Sequence, residues 1–323
     1  MPLGGARRTI ARILRRRAMS ANLPLSVHEL CRALRDGQPY QEDRLDRVLW
    51  SDTSRGLIEV QSAVTWMALA ARLRPGDLAI AGGRATRATV GESVARNAAG
   101  LDGTPAVQHI EALAMISPDG QLRRVSRLHH PELFTLAIGG HGLFGPVYSI
   151  TLRLESLSRA LVATPASRLH RTGARPLQLL VPPEQLDAFM VDVRALCRQW
   201  RTGIGEPCLR IVHRDDETFL RWAPREYAEI TLLLEKGGAL GRAVRLAQVR
   251  RELIDLAIAC GGSFPIACTP EATREQVLAC YPQLEKFLAE QRRSDPTDRW
   301  ANDWLRHHRG LLGREACEVR WAH

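Results

Sequence analysis

The chain has 323 residues, 45% hydrophobic and 25% charged, which is typical of a globular protein long enough for two packed domains. It has no run of about 18 consecutive apolar residues and no signal-peptide stretch at its N-terminus, so we expect a cytoplasmic protein without a membrane span. The formal net charge is +10, of which six arginines near the N-terminus supply +6: Arg7, Arg8, Arg12, Arg15, Arg16 and Arg17.

This charge does not by itself indicate a nucleic-acid partner. Lys236 and Lys286 are the only lysines, and no basic face interleaved with aromatic residues accompanies the arginines. We therefore expect no nucleic-acid binding and interpret residues 1–22 as a basic, disordered tail. A membrane-surface helix, or sequence upstream of a start at Met19, remains an alternative for the first 18 residues.

The first half of the chain alternates helix and strand signals. Ser26 and Glu29 have the spacing of a capping box, which predicts a helix that ends near Gly37. Residues 57–61 alternate as a strand. A helix follows, stopped by Pro75-Gly76, and one of its faces carries Trp66, Leu69, Ala70 and Leu73.

A hairpin is predicted further along the same half. Its strands are 110–117 and 121–126, and Pro118-Asp119-Gly120 between them favours turn dihedrals. A helix over 131–138 then leads through a glycine-rich loop to a strand over 147–154.

The second half has a different order of predicted elements, which begins after a polar segment from Leu154 to Arg175 that crosses between the domains. The pattern predicts β-α-β-β-α-β, a ferredoxin-like order. Its segments are strand 177–181, helix 183–200, strands 207–213 and 226–234, helix 241–260 and strand 263–268. The apolar stripe of the first helix is predicted to cover the sheet: Leu186, Phe189, Val193, Leu196 and Trp200.

The seven cysteines include no C-x-x-C pair, so we interpret them as buried thiols: Cys31, Cys197, Cys208, Cys260, Cys268, Cys280 and Cys317. The pairs His129-His130 and His307-His308 lack the spacing of metal ligands. We therefore expect no metal site.

The loop Gly140-His-Gly142-Leu-Phe-Gly145 satisfies G-x-G-x-x-G. A dinucleotide site of that type needs a preceding strand and a following helix, and here the order is reversed. Two interpretations remain open: the glycines only turn the chain, or they also let the backbone approach a flat ligand.

Thr89-Val-Gly-Glu-Ser93, followed by Asn97-Ala-Ala-Gly100, is typical of a helix start. Free amides there can hold a phosphate or a flavin edge, while a plain N-cap by Thr89 or Ser93 is the alternative. A nucleophilic Ser93 is disfavoured because Ala95 stands where G-x-S-x-G requires glycine.

Taken in order and spacing, these segments resemble the vanillyl-alcohol-oxidase-type (PCMH-type) FAD-binding oxidoreductases. The resemblance rests on Thr89–Gly100, the hairpin Glu111–Ser126, and Pro131–Phe134 with Gly139–Gly145. Leu209–His213 and the C-terminal segment with Asp295-Pro296 resemble the cap domain of the branch that contains aldonolactone and alditol oxidases. This implies an α+β fold: a PCMH-type FAD-binding domain over 23–158, with a shortened first lobe, and a ferredoxin-like substrate (cap) domain with C-terminal helices over 176–323.

The chain departs from that family at the expected pyrophosphate loop. Almost nothing lies between Gly37 and Asp43, where relatives have a strand and a glycine-rich loop, and Ala81-Gly-Gly-Arg84 lies too late in the chain to replace it. Glu92 replaces a glycine and Ala99 a histidine. We therefore expect FAD to bind non-covalently, if it binds.

The resemblance also implies site residues. Arg210 would stabilise a substrate alkoxide and His213 would help remove a proton; ordinary sheet-surface roles are the alternative for both. Tyr281 and Trp304 would close the pocket or simply pack. The implied cofactor-binding residues are Thr89, Val90, Gly91, Ser93, Asn97, Gly100, Gly139, Gly140, Gly142, Gly145 and Val147.

The expected activity is oxidation of an alcohol, polyol or sugar lactone by hydride transfer to FAD. The alternative is a non-catalytic descendant that serves as a partner-binding or structural module.

Overall fold

The computed structural model describes residues 26–36, 42–73, 88–100, 102–154, 176–234 and 242–313. Several predicted features lie outside these ranges: the basic tail 1–22, the junction after Gly37, the helix stop at Pro75-Gly76, the loop 81–84, most of the polar crossing, and Cys317. Within the described ranges the fold is mixed α and β, with one antiparallel sheet in each half.

The first half forms a five-stranded sheet. Its strands lie in the order β1 (Val48–Asp52), β2 (Leu57–Gln61), β5 (Val147–Arg153), β3 (Ile110–Ile116) and β4 (Leu122–Ser126). Its helices are α1 (Val27–Arg35), α2 (Trp66–Leu73), α3 (Val90–Arg96) and α4 (Pro131–Ala137). One sheet face buries Ile58, Val60, Leu113, Ile150 and Leu152.

Local signals in this half are confirmed. The Ser26 hydroxyl accepts the Glu29 amide while the Glu29 carboxylate accepts the Ser26 amide, as the capping box predicts. Strands β3 and β4 form the predicted hairpin, with Gly120 at a φ of 77° in its turn. Strand β1 was not predicted, because it is an edge strand with no fully buried residue and so lacks an apolar alternation.

The second half forms a three-stranded sheet in the order β6 (Leu177–Val181), β8 (Tyr227–Leu232) and β7 (Cys208–Val212). The helices of this half are α5 (Leu186–Gln199), α6 (Arg242–Ala259), α7 (Arg274–Cys280), α8 (Leu284–Ser294) and α9 (Asp303–Gly313). The stripe of α5 is core as predicted, since Phe189 and Val193 are buried and the remaining members pack against the same core.

The predicted strand 263–268 is wrong. Ser263 and Leu180 exchange both backbone hydrogen bonds at 2.8 Å, but this is a single bridge beside β6. Pro265 has no amide to continue a ladder, and its carbonyl accepts the Cys268 amide in a turn. The turn sends 265–268 toward the first half of the protein, where it becomes part of a cavity wall.

Candidate functional site between the two sheets

Asn97 fastens the two halves together. It ends α3 in the left-handed conformation, at a φ of 46°, and is fully buried. Its Nδ2 donates to Asp215 Oδ2 at 2.8 Å, its Oδ1 accepts the Val107 amide at 2.9 Å, and its carbonyl accepts Trp222 Nε1 at 2.9 Å. Asp215 and Trp222 belong to the β7–β8 connection, so one residue of the first half holds a loop of the second.

Further contacts secure the same loop. Arg127 Nε donates to Glu217 at 2.6 Å and Arg127 Nη2 donates to it at 3.0 Å, while the other guanidinium bonds of Arg127 reach first-half carbonyls. The Phe219 amide donates to Thr135 O at 3.0 Å. The β7–β8 connection is therefore docked by backbone and side-chain bonds along its length.

A cavity of about 180 Å³ lies where the halves meet. The first half contributes Arg96, Ala98, Ala99, Gly139 and His141; the second contributes Gln178, Arg210, Leu220, Trp222, Glu229, Pro265, Ile266, Ala267 and Cys268. An apolar cavity of about 150 Å³ can hold benzene. The volume therefore suits one small molecule.

One wall is polar and crosses all three strands of the second sheet. Glu229 on the central strand is 3% exposed, and its Oε2 accepts Arg210 Nη2 at 2.6 Å and Nε at 3.1 Å. Its Oε1 accepts Gln178 Nε2 at 2.9 Å. Arg210 Nη1 also donates to Gly100 O at 3.1 Å, so the guanidinium is held from both halves.

An aromatic column supports another wall. The His141 ring stacks on Trp304 at 4.1 Å between centroids, and Trp304 contacts the His308 ring at 4.0 Å. His308 Nδ1 donates to Trp304 O at 2.8 Å, and Asn302 Nδ2 donates to His141 O at 2.8 Å. Burial lowers the pKa of His141 to about 3 and that of His308 to about 4, so both rings are neutral at pH 7.

The amides at the start of α3 are not free. Those of Val90 and Gly91 donate to Val64 O and Ser62 O, both at 2.8 Å, and the amide of Glu92 donates to Thr89 Oγ1 at 3.1 Å. Glu92 completes a capping box with Thr89, so its carboxylate is occupied locally. The alternative of a plain N-cap therefore describes Thr89, and the idea that this helix start offers free amides is wrong.

The other implied cofactor residues also have protein partners. Ser93 Oγ accepts Trp66 Nε1 at 2.8 Å and donates to Thr89 O at 3.3 Å. Gly100 bonds to Thr104 and Arg210, and Val147 pairs with Met115 in the sheet. Of the implied cofactor residues, Gly139 is the one that lines the cavity.

The glycine loop turns the chain tightly, with Gly139, Gly142 and Gly145 at positive φ. Gly139 and His141 donate their amides to Val94 O and Ala95 O, which binds the loop to the end of α3. These contacts support the turning role for the glycines and also place Gly139 backbone at the cavity.

Gly140 is fixed by close packing, and Gly140→Ala tests this. An added Cβ would meet Leu136 O at 2.0 Å, so we expect a loss of about 2 kcal/mol in the free energy of unfolding, measured by urea denaturation. Gly310→Ala is the matched control, because its Cβ meets nothing within 4 Å in α9 and alanine should stabilise that helix by about 0.5 kcal/mol. Equal effects would contradict the packing role of Gly140.

The structure separates the two implied catalytic residues. Arg210 lines the cavity, whereas His213 is half-exposed beyond the end of β7, with its Nδ1 3.0 Å from Glu226 Oε2. Successive strand residues alternate faces, so positions three apart point to opposite sides. The expectation that both face one substrate is therefore wrong for His213.

The aromatic residues Tyr281 and Trp304 do not line the cavity themselves. Tyr281 is fully buried, and its hydroxyl accepts the Ile266 amide and donates to Phe264 O, so it braces the cavity segment from behind. Burial raises its pKa. Trp304 stacks on His141, and it is His141 that lines the cavity.

Sequence reasoning missed Gln178 and Glu229. Both interrupt apolar strands, Leu-Gln-Leu-Leu-Val and Tyr-Ala-Glu-Ile-Thr-Leu, whose other residues are mainly buried. A carboxylate is rarely fully buried unless it is paired, so Glu229 in that run is a usable signal.

Cysteines and membrane segments add no further site. Among the described cysteines only Cys197 is buried, so the expectation of generally buried thiols is wrong, and no disulfide joins them. The described residues contain no group of His, Cys, Asp or Glu suited to a metal ion. None of their helices has the length and apolarity needed to span a bilayer.

Comparison with known proteins gives a match that lies in the first half of the chain. No curated protein matches the chain. Residues 41–126, which run from before β1 to the end of β4, match the family model described as FAD binding domain, and this match indicates that the protein binds FAD.

Proposed function

We propose that the protein is an FAD-dependent oxidoreductase that oxidises a small alcohol, polyol or sugar-derived lactone. The observation that carries this is the cavity between the half that contains the FAD-binding match and the second sheet, with Arg210 in its polar wall. Two-domain architecture with a ligand cavity at the domain boundary is common among enzymes.

Residues of suitable type could hold the flavin at this boundary. Ala98, Ala99 and Gly139 line the cavity and offer backbone with no side chain beyond Cβ. The chain has almost nothing between Gly37 and Asp43, where relatives carry a loop whose histidine often bonds covalently to the flavin, and this supports non-covalent binding.

When bound, FAD would supply a hydride acceptor. The chain's own part is to bind and orient the substrate. Arg210 has five N–H donors, and Glu229 and Gly100 accept three of them. The other two have no partner among the described residues and can donate to a substrate oxygen. Leu220 and Trp222, both nearly fully buried, exclude water from the same cavity.

The proposal is tested by the visible absorption of the purified full-length protein, before and after incubation with FAD and removal of free cofactor. A retained flavin band that bleaches anaerobically when polyols or sugar lactones are added is the expected result. A retained band that no alcohol bleaches would contradict the oxidation of CH–OH donors.

A non-catalytic descendant remains the second candidate. The small cavity and the internally bonded amides of α3 favour it, because both reduce what is available to a flavin. Folded protein that retains no flavin would support this candidate and reject the oxidoreductase.

A further inference from the structure

Glu229 is saturated with hydrogen bonds and so cannot serve as a base in the cavity. An ionised carboxylate has about four acceptor positions. Arg210 fills two on Oε2, and Gln178 at 2.9 Å and Thr231 at 3.5 Å approach Oε1. Glu229 can therefore influence a ligand only through its ion pair with Arg210.

In this ion pair, Glu229 neutralises the positive charge that Arg210 would otherwise present to a ligand. The Arg210 and Glu229 side chains are 33% and 3% exposed, so solvent screens this pair incompletely. Arg96, the other cation of the cavity lining, lies 3.9 Å from Glu92 on the surface of α3. His141 is neutral at pH 7 because burial lowers the pKa of its ring. Each cation that lines the cavity therefore has a carboxylate beside it.

We propose that Glu229 sets the charge specificity of the cavity: by pairing with Arg210 it makes the site select small uncharged ligands that carry hydroxyl or carbonyl oxygens and disfavour carboxylates. An isolated arginine would favour an anion, since guanidinium binds carboxylates in a bidentate geometry. Here the guanidinium edge formed by Nε and Nη2 is already taken by Glu229. This inference names the ligand class of the proposed oxidoreductase and rests on that function for its biological meaning.

The test compares glycerol with glycerate, which differ by a carboxylate in place of a hydroxymethyl group and are small enough for about 180 Å³. Binding to the full-length protein is measured by saturation-transfer NMR at pH 7. We expect the wild type to bind glycerol at least as tightly as glycerate. In Glu229→Gln, which keeps the shape but removes the charge, the ratio of affinities should move at least tenfold toward glycerate.

Glu184→Gln is the matched control. Glu184 is also paired with an arginine, at 2.6 Å from Arg225 Nη2, but it is exposed and outside the cavity lining. Its substitution should leave the ratio unchanged. A ratio, unlike a single affinity, does not change through partial loss of folded protein.

Several outcomes overturn the proposal. Wild type that binds glycerate more tightly than glycerol, wild type that binds neither probe, or a folded Glu229→Gln with an unchanged ratio would each do so. The first two outcomes overturn the proposal even if Glu229→Gln fails to fold. Flavin retention is measured separately, so selectivity without a flavin band would reject the oxidoreductase alone, and a flavin band without selectivity would reject this inference alone.

Discussion

Replacing Asn97 with alanine is expected to lower the free energy of unfolding by about 4 kcal/mol, measured by urea denaturation at pH 7. The change removes one of four donors to the buried Asp215 carboxylate and leaves the Val107 amide without its acceptor. An unsatisfied buried polar group costs about 1–3 kcal/mol, and more when it is charged. Alanine at a φ of 46° adds roughly 1 kcal/mol of backbone strain.

Two further variants separate these causes. Asn97→Gly removes the same hydrogen bonds but tolerates the left-handed conformation, so it should lose about 1 kcal/mol less than alanine. Gln108→Ala removes an exposed bond across the same boundary, from Nε2 to Arg214 O at 3.2 Å, and should change stability by less than about 0.5 kcal/mol. A loss below about 1 kcal/mol for Asn97→Ala would show that other groups or water replace its bonds.

Acidification from pH 6.5 to pH 5 is expected to lower the free energy of unfolding by about 3 kcal/mol. His141 and His308 have folded pKa values of about 3 and about 4, below the ordinary 6.5, because burial disfavours the imidazolium ion. In this window the unfolded chain binds protons that the folded protein does not. Stability is therefore full above pH 6.5 and falls by about 1.4 kcal/mol per pH unit for each histidine.

Urea denaturation at pH 7, 6 and 5 measures this slope. The window lies above the range where most carboxylates titrate, so their contribution is small. His308→Phe keeps an aromatic ring against Trp304 and removes one titrating group, so it should halve the slope. A free energy of unfolding that is flat between pH 7 and pH 5 would contradict the lowered pKa values of both rings.

The pH dependence also bears on the site. Trp304 stacks on His141, which lines the cavity, and its contact with His308 is made within α9. Protonation of either ring places an uncompensated charge in this column. In the folded protein these rings take up protons only near their own pKa values of about 3 and about 4, so we expect ligand binding to stay constant from pH 6.5 to pH 5 and to weaken near pH 4.

Local signals in the sequence were sufficient for most elements. Capping at Ser26, the turn at Gly120 and the stripe on α5 depend on residues only a few positions apart, so the sequence determines them directly. The exception at 263–268 shows the limit of such patterns. Its apolar residues resemble a strand, but one proline without an amide ends the pairing after a single bridge.

The candidate site depended on longer-range order. The sequence predicts the strand that carries Arg210, but only the sheet register brings Arg210 opposite Glu229. On the other side of Glu229, the register places Gln178 two residues from the β6 position that pairs with Glu229. Whether the start of α3 has free amides was also undecided from sequence, because their partners Ser62 and Val64 lie outside the helix. The sequence supplies donors and acceptors, and the fold decides which of them remain for a ligand.

The sequence by itself therefore determined the helices, most strands and the resemblance to FAD-binding proteins, which the match at residues 41–126 supports. Only the tertiary structure decided that Asn97 joins the halves through Asp215, 118 positions away, and that Glu229 neutralises Arg210. The physical reason is the separation along the chain between the residues that interact. Helix caps, turns and periodicity are fixed by neighbours in the chain, whereas a buried polar contact exists only where the packed sheets bring distant residues within hydrogen-bond distance.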